Sequence, residues 1–231
     1  MSHTRSPTSV ATVLGLFLAL GVPAIILPTG LLHPILASQF GSDSSVQAVL
    51  AKEAVFWTLT ALVLIVLTLG ERQPLSAIGF KRIGFLSILF GIAGFALVMI
   101  AQPVGLFLLK LIGGSFPTQK VSKLTSLPVW LLALILVRAS ICEEILFRGY
   151  SIERLTALSG SRILGTIIPA LIFMAGHIGT FGIRYVAFLI PVTTILTAVY
   201  LIRRDIWANI VTHFLVDGLS LVVTLNAQRS G

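Results

Sequence analysis

Seven long, mostly apolar stretches follow one another along this 231-residue chain. An α-helix needs about 20 such residues to cross the hydrocarbon of a bilayer. The stretches run from about Val10–Ile26, Ala54–Leu69, Phe85–Leu109, Pro128–Leu158, Arg162–His177, Tyr185–Ile202 and Ile206–Leu225. The expected fold is therefore all-α, a polytopic transmembrane helical bundle of about seven spans. Only 10% of the residues are charged, where a soluble domain carries about 25%, so a soluble globular protein is excluded. The fourth stretch would be about 45 Å long as a helix, so one of its ends should project from the membrane. The third holds Pro103 with Gly91, Gly94 and Gly105, which predicts a kink. His33 to Glu53 and Gly113 to Ser126 read as polar loops. Ser159-Gly160-Ser161 is a turn signal, and Arg203-Arg204-Asp205 a tight polar connection. Arg5 before the first stretch is compatible with a signal peptide. The apolar run is longer than usual for one and lacks a clean cleavage site, so retention as a helix is expected.

The net charge of +8 comes from 16 Lys and Arg against 8 Asp and Glu. The basic residues gather at segment ends: Arg72, Lys81 and Arg82; Lys120 and Lys123; Arg203 and Arg204. Loops and lipid headgroups account for them, with Arg203 and Arg204 as a headgroup anchor. No aromatic-interleaved basic patch points to nucleic acid, and none is expected as a partner. A Lys and Arg count by loop favours the N-terminus inside, although Lys110, Lys120 and Lys123 oppose it. A single cysteine, Cys142, excludes an intramolecular disulfide. In apolar surroundings beside acidic neighbours it reads as an inert thiol.

Glu143 and Glu144 lie side by side in the fourth stretch. A charge at the bilayer centre costs at least ~2.5–3.5 kcal/mol on insertion scales, so two together need partners or a use. Glu144 and Arg148 are four residues apart on one helical face, in the favoured order. Neighbouring residues on an α-helix point about 100° apart, so Glu143 faces elsewhere and is expected to lack that partner. The alternative is a structural ion-pair cluster with Arg138, Arg148 or Arg154.

His177 closes the fifth stretch. His213 and Asp217 share one face of the seventh, with Asn209 a turn before them. If the fourth and fifth helices turn back at Gly160, Glu143 and His177 are equally far from the turn in sequence. Both then lie about 25 Å along their helices, at matching depth. His213 and Asp217 fit that depth more loosely. A carboxylate and an imidazole sharing one water form a general base that can send the water's oxygen to a carbonyl. A second histidine and a polar neighbour can serve the resulting oxyanion. Glu143, His177, His213 and Asp217 are also an acceptable ligand set for a divalent metal, zinc foremost, though no H-E-x-x-H motif is present.

The strings Glu143-Glu-Ile-Leu-Phe-Arg-Gly-Tyr150, Phe173-x-x-x-His177 and His213-x-x-x-Asp217, in that order on separate helices, resemble the CPBP family. These are the CAAX proteases and bacteriocin-processing membrane proteins, also called Abi. The resemblance covers about Pro128 to Leu225. It implies an intramembrane peptidase, with Glu143 and His177 activating water, His213 and Asp217 at the oxyanion site, and Glu144 and Arg148 in support. In the prenyl-processing branch the last position is Asn, where this chain has Asp217. An ionised Asp cannot donate to an oxyanion, so it would have to be protonated, orient His213 or hold a metal.

Two parts are expected: residues 1–127 with about three spans, and residues 128–226 as the catalytic core in the last four. No cofactor is expected, a divalent metal being the alternative. The partners would be a peptide or membrane-protein substrate and the lipid bilayer, and the chain would be a multi-pass membrane protein. The rival functions are a non-hydrolytic immunity or scaffold protein and an ion or proton relay.

Overall fold

The computed structural model describes residues 10–42 and 44–229, and among them every regular element is helical. In chain order the helices are α1 (Val10–Thr29), α2 (Leu32–Phe40), α3 (Val46–Gly70), α4 (Phe85–Leu111), α5 (Thr118–Thr125), α6 (129–159), α7 (Arg162–Phe181), α8 (Tyr185–Arg203) and α9 (Ile206–Arg229). Six of them, α1, α3, α4, α7, α8 and α9, are long and apolar enough to cross a membrane. The chain is a multi-pass integral membrane protein. The seventh long helix, α6, carries Arg138, Glu143, Glu144, Arg148, Glu153 and Arg154, and that charge sets it apart from the other six. Arg5 lies outside the described residues.

Both expected loops are corrected. The stretch from His33 to Glu53 holds α2 and the first two turns of α3. Ser45 caps α3, its Oγ accepting a hydrogen bond from Ala48 N at 3.2 Å, as an N-cap serine does for an orphan amide. Glu53 is therefore a buried helical residue. The stretch from Gly113 to Ser126 contains α5, a short helix with Lys120 and Lys123.

Helix α4 runs unbroken through Pro103 and lies against both α8 and α9. Its close approach needs a glycine: a Cβ on Gly94 would sit 2.5 Å from Thr212 Oγ1 and 3.1 Å from Val199 Cγ2. The small face of α4 packs inward, while Phe85, Ile100, Phe107 and Leu111 stay exposed and face lipid. Gly160 makes the α6–α7 turn in left-handed geometry, with φ of 66°, and Ser161 then caps α7 by accepting from Leu164 N at 3.3 Å.

One end of the bundle is tied by polar contacts. Lys81 Nζ donates to Arg203 O at 2.7 Å, and Trp207 Nε1 donates to Lys81 O at 3.0 Å. Asp205 accepts from Ser87 Oγ at 2.8 Å and from Trp207 N at 3.1 Å. Arg204 pairs with Glu153 at 2.5 Å, and Arg154 with Glu71 at 2.6 Å. Of the two arginines expected to anchor at headgroups, Arg204 is half-exposed and also pairs with Glu153, and Arg203 lies over the Phe90 ring at 4.4 Å.

Candidate active site

The middle of α6 is not α-helical. Val129–Arg138 is an α-helix, Ala139–Ser151 is π-helical, and Ile152–Ser159 is α-helical again. In the wider π turn, hydrogen bonds close at i→i+5, and Ser151 Oγ follows the same spacing by donating to Leu146 O at 2.6 Å. Arg138 and Glu143 are five apart, and Arg138 Nη1 donates to Glu143 Oε1 at 2.6 Å. Glu143 does not share Arg148 with Glu144, as expected, and pairs instead with Arg138, the first partner named in the ion-pair alternative. The i,i+4 rule that linked Glu144 to Arg148 had no place for an i,i+5 pair.

Glu144 is fully buried and heavily bonded. Its Oε1 accepts from Arg148 Nη1 at 2.9 Å and lies 2.8 Å from His213 Nδ1. Its Oε2 accepts from Asn209 Nδ2 at 3.0 Å. Asn209 also donates to Leu196 O at 2.7 Å, which ties α8 to the cluster. Buried ion pairs of this kind hold only when their remaining valences are met, and Glu144 meets them from two helices. Glu143 differs. Its side chain is 14% exposed, and its Oε2 accepts no hydrogen bond from the described residues.

Phe173 of α7 is the hub. The Arg148 guanidinium lies 4.0 Å over its ring, a desolvated cation–π contact. Phe147 meets it edge-on at 5.4 Å, His177 at 5.0 Å and His213 at 6.3 Å. Phe147 and Phe173 are equally far from Gly160 in sequence, so the hairpin register expected for α6 and α7 is the one observed. Helix α7 breaks at Gly176, and His177 sits at the break before the last turn, Ile178–Phe181. His177 Nδ1 is 2.9 Å from Phe173 O. A carbonyl only accepts, so Nδ1 carries the proton and Nε2 keeps its lone pair in the neutral ring. The ring also stacks on Phe181 at 6.3 Å.

His213 Nε2 lies 3.4 Å from Asp217 Oδ2, and the Asp217 side chain is 44% exposed. Asp217 is within electrostatic reach of His177 and Arg138. The structure thus brings His177 and His213 to Phe173, sets Asp217 beside His213, and pairs Glu143 with Arg138. No hydrogen bond joins Glu143 to His177 among the described residues.

For a metal, the four candidate ligands would have to converge on one point. Among the described residues no three His, Cys, Asp or Glu side chains are gathered to hold an ion. His213 has carboxylate oxygens facing both ring nitrogens, Glu144 at Nδ1 and Asp217 at Nε2. Cys142 is buried.

Two site residues were missed from sequence. Arg138 is clasped by Glu53 of α3: Nε donates to Oε2 at 2.9 Å and Nη2 to Oε1 at 3.3 Å. Phe56, three residues on, covers the guanidinium at 4.5 Å. The signal available was Ser45 ahead of Val46, an N-cap pattern that puts Glu53 two turns inside a helix.

Residues 125–219 match the family model described as type II CAAX prenyl endopeptidase Rce1-like. No curated protein and no solved structure matches the chain.

Proposed function

We propose, for a chain whose residues 125–219 match the Rce1-like family of type II CAAX prenyl endopeptidases, that it hydrolyses a peptide bond with a water activated by Glu143 and His177. A match to a peptidase family implies an intramembrane protease acting on a peptide at the bilayer. The finer assignment rests on one observation, the inequality of two adjacent carboxylates. Glu144 has both oxygens bonded by Arg148, His213 and Asn209. Glu143 has one oxygen held by Arg138 and the other open. A general base needs a free oxygen within reach of the proton it takes.

In this reading Glu143 Oε2 accepts a proton from water, and His177 Nε2 orients that water. The water's oxygen bonds to the scissile carbonyl carbon, and the carbonyl becomes an oxyanion. His213 stands at the oxyanion position, with Glu144 fixing its Nδ1. Asp217 lies 3.4 Å from His213 Nε2, near enough to orient the ring yet long for a hydrogen bond, so the Nε2 proton is the one that turns to the oxyanion and Asp217 itself need not donate. The C–N bond then breaks, and the proton held by Glu143 passes to the leaving amine. We take the reaction to need no metal, the support being that no three of the candidate ligands are gathered on one point among the described residues.

The test is product identification by mass spectrometry on a panel of quenched peptides, each with and without a prenylated cysteine, using purified protein in proteoliposomes. Wild type should release a defined C-terminal fragment, and Glu143→Ala and His177→Ala should not. Equal cleavage by wild type and Glu143→Ala would overturn the assignment of the base.

A further inference from the structure

Glu53 lies outside the segment that matches the family, yet its side chain is one of the most buried carboxylates in the molecule, at 6% exposure. Among the described residues its ion pair is with Arg138. We infer that Glu53 is a positioning residue for the peptidase reaction, acting through Arg138 to hold Glu143 in its working orientation. The inference rests on Glu143 being the general base.

The geometry of the guanidinium carries the argument. Arg138 presents two edges. The Nε and Nη2 edge meets both oxygens of Glu53, and Nη1 is left to hold a single oxygen of Glu143. A bidentate Arg–carboxylate pair fixes the plane of the guanidinium. With that plane fixed, and Phe56 covering it at 4.5 Å, the position of Nη1 is set by α3 and not by α6 alone. Glu143 is then tethered through Oε1 while Oε2 stays open. Without Glu53 the fork of Arg138 is free to turn its bidentate edge onto Glu143. Both oxygens of the base would then be engaged, and the water would lose its acceptor. Glu53 also balances the charge of Arg138, so the base faces a guanidinium already neutralised on its far side. The π-helical start of the segment serves the same end, since i→i+5 spacing is what sets Glu143 over Arg138.

The test uses full-length protein in proteoliposomes and a quenched peptide that wild type cleaves, with kcat and KM measured separately. Glu53→Gln keeps the shape and removes the charge. Its kcat should fall about 10- to 100-fold, the loss that a small misplacement of a reacting group brings, with KM within about twofold. Glu53→Asp, which keeps the charge on a shorter stem, should recover part of the loss. Because the effect passes through Arg138, Glu53→Gln should add nothing to Arg138→Gln in the double variant, as expected of coupled sites. An unchanged kcat in Glu53→Gln, or additive losses in the double variant, would overturn the inference. If Glu53→Gln does not fold, Arg138→Lys decides it: a lysine keeps the charge but has no fork for a bidentate pair, so its kcat should fall, and wild-type kcat in that variant would overturn the inference. Glu143→Gln serves as the separate control: full activity there would remove the base assignment itself, whatever Glu53 does.

Discussion

Glu143 and Glu144 are neighbours with opposite environments, and substitution should separate them. Removing Glu144 leaves Arg148 buried with no carboxylate, since Arg148 has only Glu144 as an ion-pair partner within the described residues. Breaking a buried pair from one side costs about 3–5 kcal/mol. Glu144→Ala should therefore lose a large part of the fold's stability, read as a drop in the thermal unfolding midpoint in detergent. Glu143→Ala leaves Arg138 still clasped by Glu53, so its midpoint should stay close to wild type while cleavage is lost. The same midpoint shift in both variants would contradict this division. Sequence alone paired Glu144 with Arg148, because i,i+4 spacing is a local rule. It did not pair Arg138 with Glu53, because that contact spans two helices and Glu53 had been placed in a loop.

At the scale of helices, the apolar runs located the long spans well, since hydrocarbon thickness fixes their length. The π segment of α6 was not legible. Apolar periodicity reports which face is buried and does not distinguish i→i+4 from i→i+5 closure within a few turns. The amphipathic α5 was also hidden, because a short polar helix has the composition of a loop. Helix packing leads to a further expectation. Gly94 of α4 meets Thr212 of α9, next to His213. Gly94→Leu must push α9 away, and overpacking of this kind costs about 1–3 kcal/mol. The displacement should move His213 from Glu144 and lower kcat about 10²-fold, the scale of a 1 Å error in positioning. Kinetics on Gly94→Ala and Gly94→Leu should show a graded loss; wild-type kcat in both would show that α4 does not set the position of His213.

Over the whole molecule, the N-terminal helices pack polar and aromatic side chains against the helix that carries the candidate site. α3 brings Glu53 and Phe56 to Arg138. Glu71 accepts from Tyr150 OH at 2.5 Å and pairs with Arg154. α4 covers α8 and α9. A protein split in the chain between α5 and α6 should therefore be inactive as either half alone. The two halves produced together should copurify and cleave peptide, since packing and buried polar contacts drive helix association in bilayers. Activity from residues 128–226 alone, measured by the same cleavage assay, would contradict a shared site.

The most direct measurement of the central claim is the kcat of wild type and Glu143→Gln on one cleaved peptide, each before and after exhaustive chelation. The amide keeps the shape of Glu143 but cannot take a proton from water. Wild type should retain its rate after chelation, and Glu143→Gln should be inactive in both conditions. Loss of wild-type activity on chelation, restored by zinc, would contradict a water activated by Glu143 and His177 alone, and so would a Glu143→Gln variant that turns over at the wild-type rate.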